Sequence, residues 1–497
     1  MNANGITIHG VLERNARKYP DKEAFISATN RLTYAKMNET CNRIARYLQD
    51  RGLRKGDRVA VMSRNNEHFF YAYFSLIKLG AIPMSINIRL TSNELEVILR
   101  NSNAAGIFYE KELLQTVQSL TQSFPLQHTF CIQDTAQEAE SYSEDNLNLP
   151  IDSREVCEIL FTSGTTGVPK GVLFNHERIL SIAYGISIEF QLTRNDRMLT
   201  IMPLSHSAPL NTFFISGLYC GCTHVLSDFT PQAFLEWIHK EKVTFVFAAP
   251  VAYLMAAKDP RLQQYDLSSI RVFAYGGGPL ALVSYERVRE AFQNDNFFQV
   301  YGLTEAGPNG SLLRPEEHLT KAGSIGKNTA VNMEFRVVRA DGSETAPGEF
   351  GEIILSGDSL MLAYDNNPQA TTETIRDGWV YTGDIAYRDE DGYVYIVDRK
   401  KDVIISGGVN IYPREIEEVL AKHPAVLESC VIGVPHEEWG ETVKAVVVPK
   451  AEVTEEELRE FVAGHLADYK CPRLYSFVQE LPRNASGKIL KQQVKKM

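Results

Sequence analysis

The chain has 497 residues, room for two to four domains at roughly 100–200 residues each. Hydrophobic residues make up 44% and charged residues 23%, which excludes a collagen-like or wholly disordered chain. Lys plus Arg is 51 and Asp plus Glu is 62; the resulting charge of −11 argues against a general polyanion binder but permits a nucleotide site made of local donors and one cation.

The opening segment, MNANGITIHGVLERNARKYP, has no basic stretch followed by an apolar run, so no signal peptide is expected. Arg58–Met62 reads as a short buried strand, Phe69–Leu79 as a helix, and Ala81–Ile86 and Ala105–Tyr109 as further strands. From Gln133 to Ser153 the chain is polar without an apolar period and reads as a surface excursion. Val243–Ala249 and Ile270–Tyr275 are near-continuous apolar runs. Such runs, separated by helices, predict parallel sheets covered on both faces. From Ser324 to Val397, short strands with glycine turns, such as Gly351–Leu355, predict a smaller β-rich subdomain. After Asp398 comes a charged run, Arg399-Lys400-Lys401-Asp402. The remainder reads strand, helix, strand, strand, helix, a compact α+β lid. There is no internal repeat, and no stretch approaches the ~20 apolar residues of a membrane span.

The seven cysteines, Cys41, Cys131, Cys157, Cys220, Cys222, Cys430 and Cys471, are odd in number, widely spaced and without a CxxC pair. A disulfide framework or zinc site is not expected, and a soluble protein of the reducing cytoplasm is.

The strongest local signal is Leu160-Phe161-Thr162-Ser163-Gly164-Thr165-Thr166-Gly167-Val168-Pro169-Lys170-Gly171. Hydroxyl residues alternate with glycines directly after an apolar strand. Glycines let the backbone turn sharply and bring N–H groups to an anion; the hydroxyls add donors and Lys170 a positive charge. The string reads as a phosphate-binding loop. It is not a Walker A loop, because Lys170 is followed by Gly171 and Val172 rather than by Ser or Thr.

The string closely resembles the signature of the adenylate-forming superfamily: acyl-CoA synthetases such as fatty-acid–CoA ligases, luciferases and peptide-synthetase adenylation domains. Thr162, Ser163, Gly164, Thr165, Thr166, Gly167 and Lys170 would then hold the phosphates of ATP. Six further strings match the family in order along the chain. Met202-Pro203-Leu204-Ser205-His206-Ser207 resembles the motif beside the acyl pocket, with His206 as wall or gate. Tyr275-Gly276-Gly277-Gly278-Pro279-Leu280 resembles the adenine-binding glycine turn. In Tyr301-Gly302-Leu303-Thr304-Glu305, the resemblance implies that Tyr301 packs on the adenine, Thr304 contacts the α-phosphate and Glu305 holds Mg²⁺. Tyr381-Thr382-Gly383-Asp384 resembles the ribose motif, where the Asp384 carboxylate can accept from two vicinal hydroxyls. Asp398–Asp402 matches the domain-boundary motif, with Arg399 on ribose or phosphate and Lys401 at the hinge, and Gly407 and Gly408 follow as the loop lining the pantetheine tunnel. Pro482-Arg483-Asn484-Ala485-Ser486-Gly487-Lys488 resembles the C-terminal motif whose lysine bridges the substrate carboxylate and the α-phosphate.

The resemblance implies an α/β chain. Its large N-terminal region, residues 1–398, would comprise two doubly wound α/β subdomains plus a β-barrel-like subdomain. Residues 399–401 would be the hinge and 402–497 a small mobile α+β lid. The implied activity is ATP-dependent acid–CoA ligation. The acid forms an acyl-AMP with release of pyrophosphate; the CoA thiol then takes the acyl group and AMP leaves. Lys488 and Thr304 would serve the first step, with ATP, Mg²⁺ and coenzyme A as the small molecules required.

His206, Ser207, Ala249, Gly276, Val300, Gly302 and Pro308 would line the acyl pocket. The segments around them, 206–211, 248–253, 275–278 and 300–309, contain no Arg or Lys. A dicarboxylic acid would bury an unpaired charge there, so a monocarboxylic acid is expected, fatty or aryl, with fatty slightly ahead. Asn211 and Asn309 are the polar contacts available. Transfer to a carrier-protein phosphopantetheine, a luciferase-like oxygenase and a silent nucleotide-binding scaffold are the alternatives. No nucleic-acid partner is expected, and a homodimer is compatible with the sequence.

Overall fold

The computed structural model of the chain describes residues 5–162, 169–278, 280–483 and 489–497. The chain divides into two compact units, Met1–Phe335 with Leu355–Val380, and Arg336–Ile354 with Tyr381–Met497. The 399–401 segment expected to be the hinge lies inside the second unit. No helix among the described residues is long and apolar enough to cross a membrane. The seven cysteines are free thiols, as their spacing predicts.

The first unit is built on two sheets. One carries, in spatial order, Ala363–Tyr364, Lys170–Asn175, Val156–Thr162, Ile82–Ser85, Arg58–Met62, Gly106–Tyr109 and His128–Cys131. From Val156–Thr162 onward the pairings are parallel, and the two before it are antiparallel. The other runs Asn328–Thr329, Ser311–Leu313, Phe297–Tyr301, Val272–Gly276, Phe245–Ala248, Arg197–Thr200, Thr223–Leu226, Glu23–Ile26 and Arg31–Thr33. Its central strands are parallel. Every residue of Phe245–Ala248 and Val272–Gly276 is buried, as strands covered on both faces require.

Local chemistry sets the helix ends. The expected Phe69–Leu79 helix begins two residues earlier, at Glu67, because the Asn66 side chain accepts the His68 N–H at 2.9 Å. It stops at Gly80, whose φ of 78° closes the last turn. Aromatic packing fills the space beside this helix: Phe70 stacks on Phe214 with centroids 4.0 Å apart, and Phe25 lies 5.0 Å from Phe70.

The polar excursion after Gln133 is more ordered than its composition suggests. Ile132–Glu138 is helical, with only Ile132 and Thr135 buried, too few apolar positions to display a period. Beyond it, the backbone is tied to the Tyr34–Asp50 helix. Asn42 donates to the Glu144 carbonyl at 2.6 Å and Arg46 to the Asp145 carbonyl at 2.9 Å. The β-rich stretch also divides: Ala363–Tyr364 pairs with Val172 and Leu173 in the first unit, and Pro368–Thr374 is a helix.

In the second unit, Tyr387 and Tyr395 pair across the antiparallel strands that carry Asp384 and Arg399. A further sheet joins Val409–Ile411, Ile404–Ser406, Gly440–Pro449 and Val426–His436, with Leu474–Phe477 parallel to Gly440–Pro449. The helices Pro413–Leu420 and Glu455–Ala463 cover it through Ile416, Leu420, Leu458 and Val462. The expected strand, helix, strand, strand, helix order is present, preceded by an extra short strand and followed by the Leu474–Phe477 strand and the short Lys491–Val494 helix.

Candidate active site

Four parallel neighbours in the second sheet of the first unit run in one direction: Arg197–Thr200, Phe245–Ala248, Val272–Gly276 and Phe297–Tyr301. Their carboxyl ends therefore deliver His206 and Ser207, Ala249, Gly276 to Gly278, and Tyr301 to Glu305 to one edge. Ligands of open α/β sheets bind outside such an edge. The sequence-predicted adenine, acyl and metal residues of this unit are thus gathered by topology.

Two glycines there are required by close backbone approach. A Cβ at Gly276 would sit 2.8 Å from the Val300 carbonyl oxygen, its partner across the sheet. A Cβ at Gly302 would sit 2.7 Å from the Pro308 carbonyl carbon. The chain after Tyr301 therefore folds tightly back, and Pro308 meets Gly302.

The Thr304–Ala306 segment is a single 3₁₀ turn ending at Gly307, where φ is 70°. It places the Thr304 hydroxyl 2.8 Å from that of Ser207. It also turns Glu305 toward Tyr364, whose hydroxyl donates to Oε1 at 2.6 Å. On the other side, Lys170 Nζ lies 4.7 Å from the centroid of the Tyr364 ring. Tyr364 thus connects the predicted metal ligand with the lysine of the phosphate loop. Sequence reasoning missed it, because Ala363–Tyr364 belongs to no motif and joins the site only through strand pairing.

The strands on either side of the predicted phosphate loop pair antiparallel, with Thr162 opposite Lys170. A strand, Lys170–Asn175, follows it, so the Walker A arrangement of loop then helix is absent. Ser163, Gly164, Thr165, Thr166 and Gly167 lie outside the described residues, as does Lys488.

His206 is half-buried, and burial lowers its imidazole pKa, so it presents a neutral ring. The amide nitrogens of the two asparagines proposed as pocket contacts have acceptors inside the protein. Asn211 is fully buried and donates to Glu158 Oε1 at 2.7 Å; Asn309 donates to Asn332 Oδ1 at 3.1 Å. Both amide nitrogens thereby have internal acceptors, while Asn211 Oδ1 has no partner among the described residues. Glu158, on the strand that leads into the phosphate loop, also accepts from the Tyr73 hydroxyl at 2.8 Å. Burial raises its pKa to about 7.

In the second unit, Arg399 Nη1 lies 3.0 Å from Asp384 Oδ1 and donates to the Thr382 carbonyl at 2.9 Å. The predicted ribose residue and its basic neighbour are thus one pair across two strands. Asp398 accepts from the Arg399 N–H at 2.7 Å and the Arg414 N–H at 2.9 Å, so it caps the Pro413–Leu420 helix. Lys401 is exposed. Gly407 and Gly408, with φ of 57° and 81°, form the two-residue turn joining Ile404–Ser406 to Val409–Ile411. Both positive angles are what a type I′ hairpin turn needs. Beside this turn, Trp439 is stacked between His436, 4.3 Å away, and the Arg473 guanidinium, 3.7 Å away.

The donor set fits Mg²⁺ better than a protein-caged metal. Among the described residues no group of three His, Cys, Asp or Glu could hold an ion. Glu305 is a half-buried carboxylate oriented by Tyr364. Mg²⁺ sites in general use one or two carboxylates plus substrate phosphates, a pattern Glu305 would fit.

Comparison with known proteins agrees with this geometry. The AMP-binding enzyme family matches residues 12–365, and the AMP-binding enzyme C-terminal domain matches 415–488. The feruloyl-CoA synthase of Amycolatopsis sp is 37% identical over 487 residues, spanning 97% of this chain and 97% of that protein. A long-chain-fatty-acid–CoA ligase of Mycobacterium tuberculosis is 35% identical, spanning 97% of this chain and 96% of that protein. Among solved structures, the o-succinylbenzoate CoA synthetase of Bacillus subtilis in complex with its acyl-adenylate intermediate aligns with a TM-score of 0.89 at 31% identity, over 98% of this chain and 97% of that one. The chain belongs to the family of AMP-binding enzymes.

Proposed function

We propose that the chain is an ATP-dependent, AMP-forming acid–CoA ligase acting on a monocarboxylic acid in the cytoplasm. The observation that carries this reading is the full-length likeness to proteins named as CoA synthases and ligases. Their acids differ and their acceptor is the same. In support, the predicted adenine, acyl and metal residues of the first unit follow the carboxyl ends of neighbouring parallel strands.

In the first step the substrate carboxylate attacks the α-phosphate of ATP. The bond to pyrophosphate breaks and an acyl-AMP forms. Negative charge gathers at the α-phosphate, so preorganised donors carry the step. Thr304, held by Ser207, would donate there, and Lys488 would bridge the carboxylate and the α-phosphate. Thr162 to Lys170 would cradle the leaving phosphates. Glu305 would hold Mg²⁺, which when bound neutralises phosphate charge. Gly276 to Gly278 leave room for the adenine, which Tyr301 would cover, and Asp384 with Arg399 would take the ribose.

In the second step the CoA thiol attacks the acyl carbonyl, forming the thioester and releasing AMP. The Gly407–Gly408 turn would line the pantetheine path, and a rotation about Lys401 would exchange the two surfaces. We keep residues 1–398 as the adenylation domain and 402–497 as the lid in this scheme. Neutral His206, with Ser207, Ala249, Val300, Gly302 and Pro308, would form the acyl wall. No Arg or Lys lies in those segments to meet a second carboxylate. The test is acid-dependent exchange of pyrophosphate into ATP. The reading requires exchange with at least one monocarboxylic acid and none without acid.

A further inference from the structure

An acyl group entering over Gly276 meets aromatic side chains at once. The Phe247 ring edge lies 3.4 Å from the position of a Gly276 Cβ, and Val300 Cγ2 lies 2.9 Å from it. Phe213 stacks on Phe247 with centroids 4.2 Å apart and planes 18° apart. Phe245 and Phe190 pack against Phe213 at 5.6 and 6.2 Å. Both stacked rings are buried. Against both rings lies a void of about 10 Å³, lined also by Met198, Thr200 and Pro209. That is at or below the ~10–15 Å³ a single water requires. That void is therefore too small for an acyl chain.

We infer that the Phe213–Phe247 stack is the floor of the acyl pocket, and that it selects a compact acid, aryl or short-chain, over a long-chain fatty acid. The inference rests on Ala249, Gly276 and Val300 being the acyl wall. A flat ring lying over Gly276 has an aromatic edge to pack on, in the geometry aromatic pairs favour. A long chain must instead displace two stacked rings from a close-packed interior, which does not yield continuously. Phe213 is anchored on the π-helical segment Ala208–Phe214, and Phe247 on a central strand, so neither backbone is a surface loop.

The experiment compares acid-dependent ATP–pyrophosphate exchange by the full chain on benzoate, cinnamate, butyrate, dodecanoate and palmitate. It is repeated with Phe247→Ala and the milder Phe247→Leu. The ratio of kcat/KM for dodecanoate to that for benzoate is taken within each protein, so a partly misfolded preparation cancels. Wild type is expected to favour a compact acid. Both variants are expected to raise the ratio, by about tenfold or more for Phe247→Ala, the scale at which hydrophobic pockets discriminate. Preference of wild type for palmitate, or an unchanged ratio in Phe247→Leu and Phe247→Ala alike, overturns the floor. Exchange with none of these acids, and with no other monocarboxylic acid supplied, overturns the ligase reading instead.

Discussion

The Tyr364 hydroxyl donates to Glu305 Oε1 at 2.6 Å while Lys170 Nζ sits 4.7 Å from the centre of the same ring. One aromatic side chain so orients an acidic and a basic group that a nucleotide with its metal would need on its phosphates. Tyr364→Phe keeps the ring and its contact with Lys170 but releases the carboxylate. We expect about a tenfold loss in kcat/KM for ATP, with Mg²⁺ dependence moved to higher concentration, because a hydrogen bond to a charged group is lost. A Mg²⁺ titration of pyrophosphate exchange checks this. An unmoved midpoint would remove Tyr364 from the orientation of Glu305.

Ser207 and Thr304 share a 2.8 Å hydrogen bond between hydroxyls on two strand ends. Ser207→Ala leaves Thr304 free to rotate. The expected loss is about threefold to tenfold in the kcat of adenylation, with KM for the acid changed less. A pure rise in acid KM would make Ser207 a pocket wall alone.

Three desolvated histidines, two of them fully buried, set an acid limit on stability. Burial depresses His9, His176 and His224 from 6.5 to about 3 in the folded chain. Both His224 nitrogens lack a partner among the described residues. The unfolded chain binds these protons first, so stability is complete above pH 6.5 and declines as pH falls toward 3. The loss is about 2 kcal/mol per histidine at pH 5. Thermal unfolding at pH 7 and pH 5 measures it, and His224→Phe should reduce the difference. Equal melting temperatures at the two pH values would contradict the assignment.

Glu158 acts in the opposite direction. Burial raises its carboxyl from 4.5 to about 7, so the folded chain holds a proton that the unfolded chain releases. Its contribution is fully present below pH 4.5 and is lost as pH rises through 7. Glu158→Gln keeps an acceptor for Tyr73 and offers an N–H to Asn211, whose Oδ1 is buried without a partner among the described residues. It should stabilise the chain by up to about 3 kcal/mol at pH 8. Denaturant unfolding that shows Glu158→Gln weaker at pH 8 would mean the carboxylate is ionised and needed.

Lys488→Ala should lower acid-dependent pyrophosphate exchange by ~10²-fold or more, the loss expected for one preorganised electrostatic group. Thioester formation from a supplied acyl-adenylate should be spared. Equal loss in both half-reactions would show that Lys488 does not belong to adenylation alone.

The parallel sheets were legible in the sequence because buried strands such as Phe245–Ala248 are apolar throughout. The gathering of His206, Gly276 and Thr304 at one edge follows from the parallel order of the strands that carry them. Tyr364 was not legible: its place depends on pairing with Val172 across the chain. The acceptors of the Asn211 and Asn309 amide nitrogens, Glu158 and Asn332, were not legible either, because they come from segments distant in the chain. The Phe213–Phe247 stack likewise joins residues of a helical segment and a strand that share no local pattern.

The most direct measurement of the central claim is AMP release with ATP, Mg²⁺ and CoA across fatty, aryl and dicarboxylic acids. The account predicts acyl-CoA and AMP in equal amounts, requiring CoA, with a monocarboxylic acid and little response to dicarboxylic ones. Pyrophosphate release without CoA-dependent AMP would contradict it and make a carrier-protein thiol the acceptor.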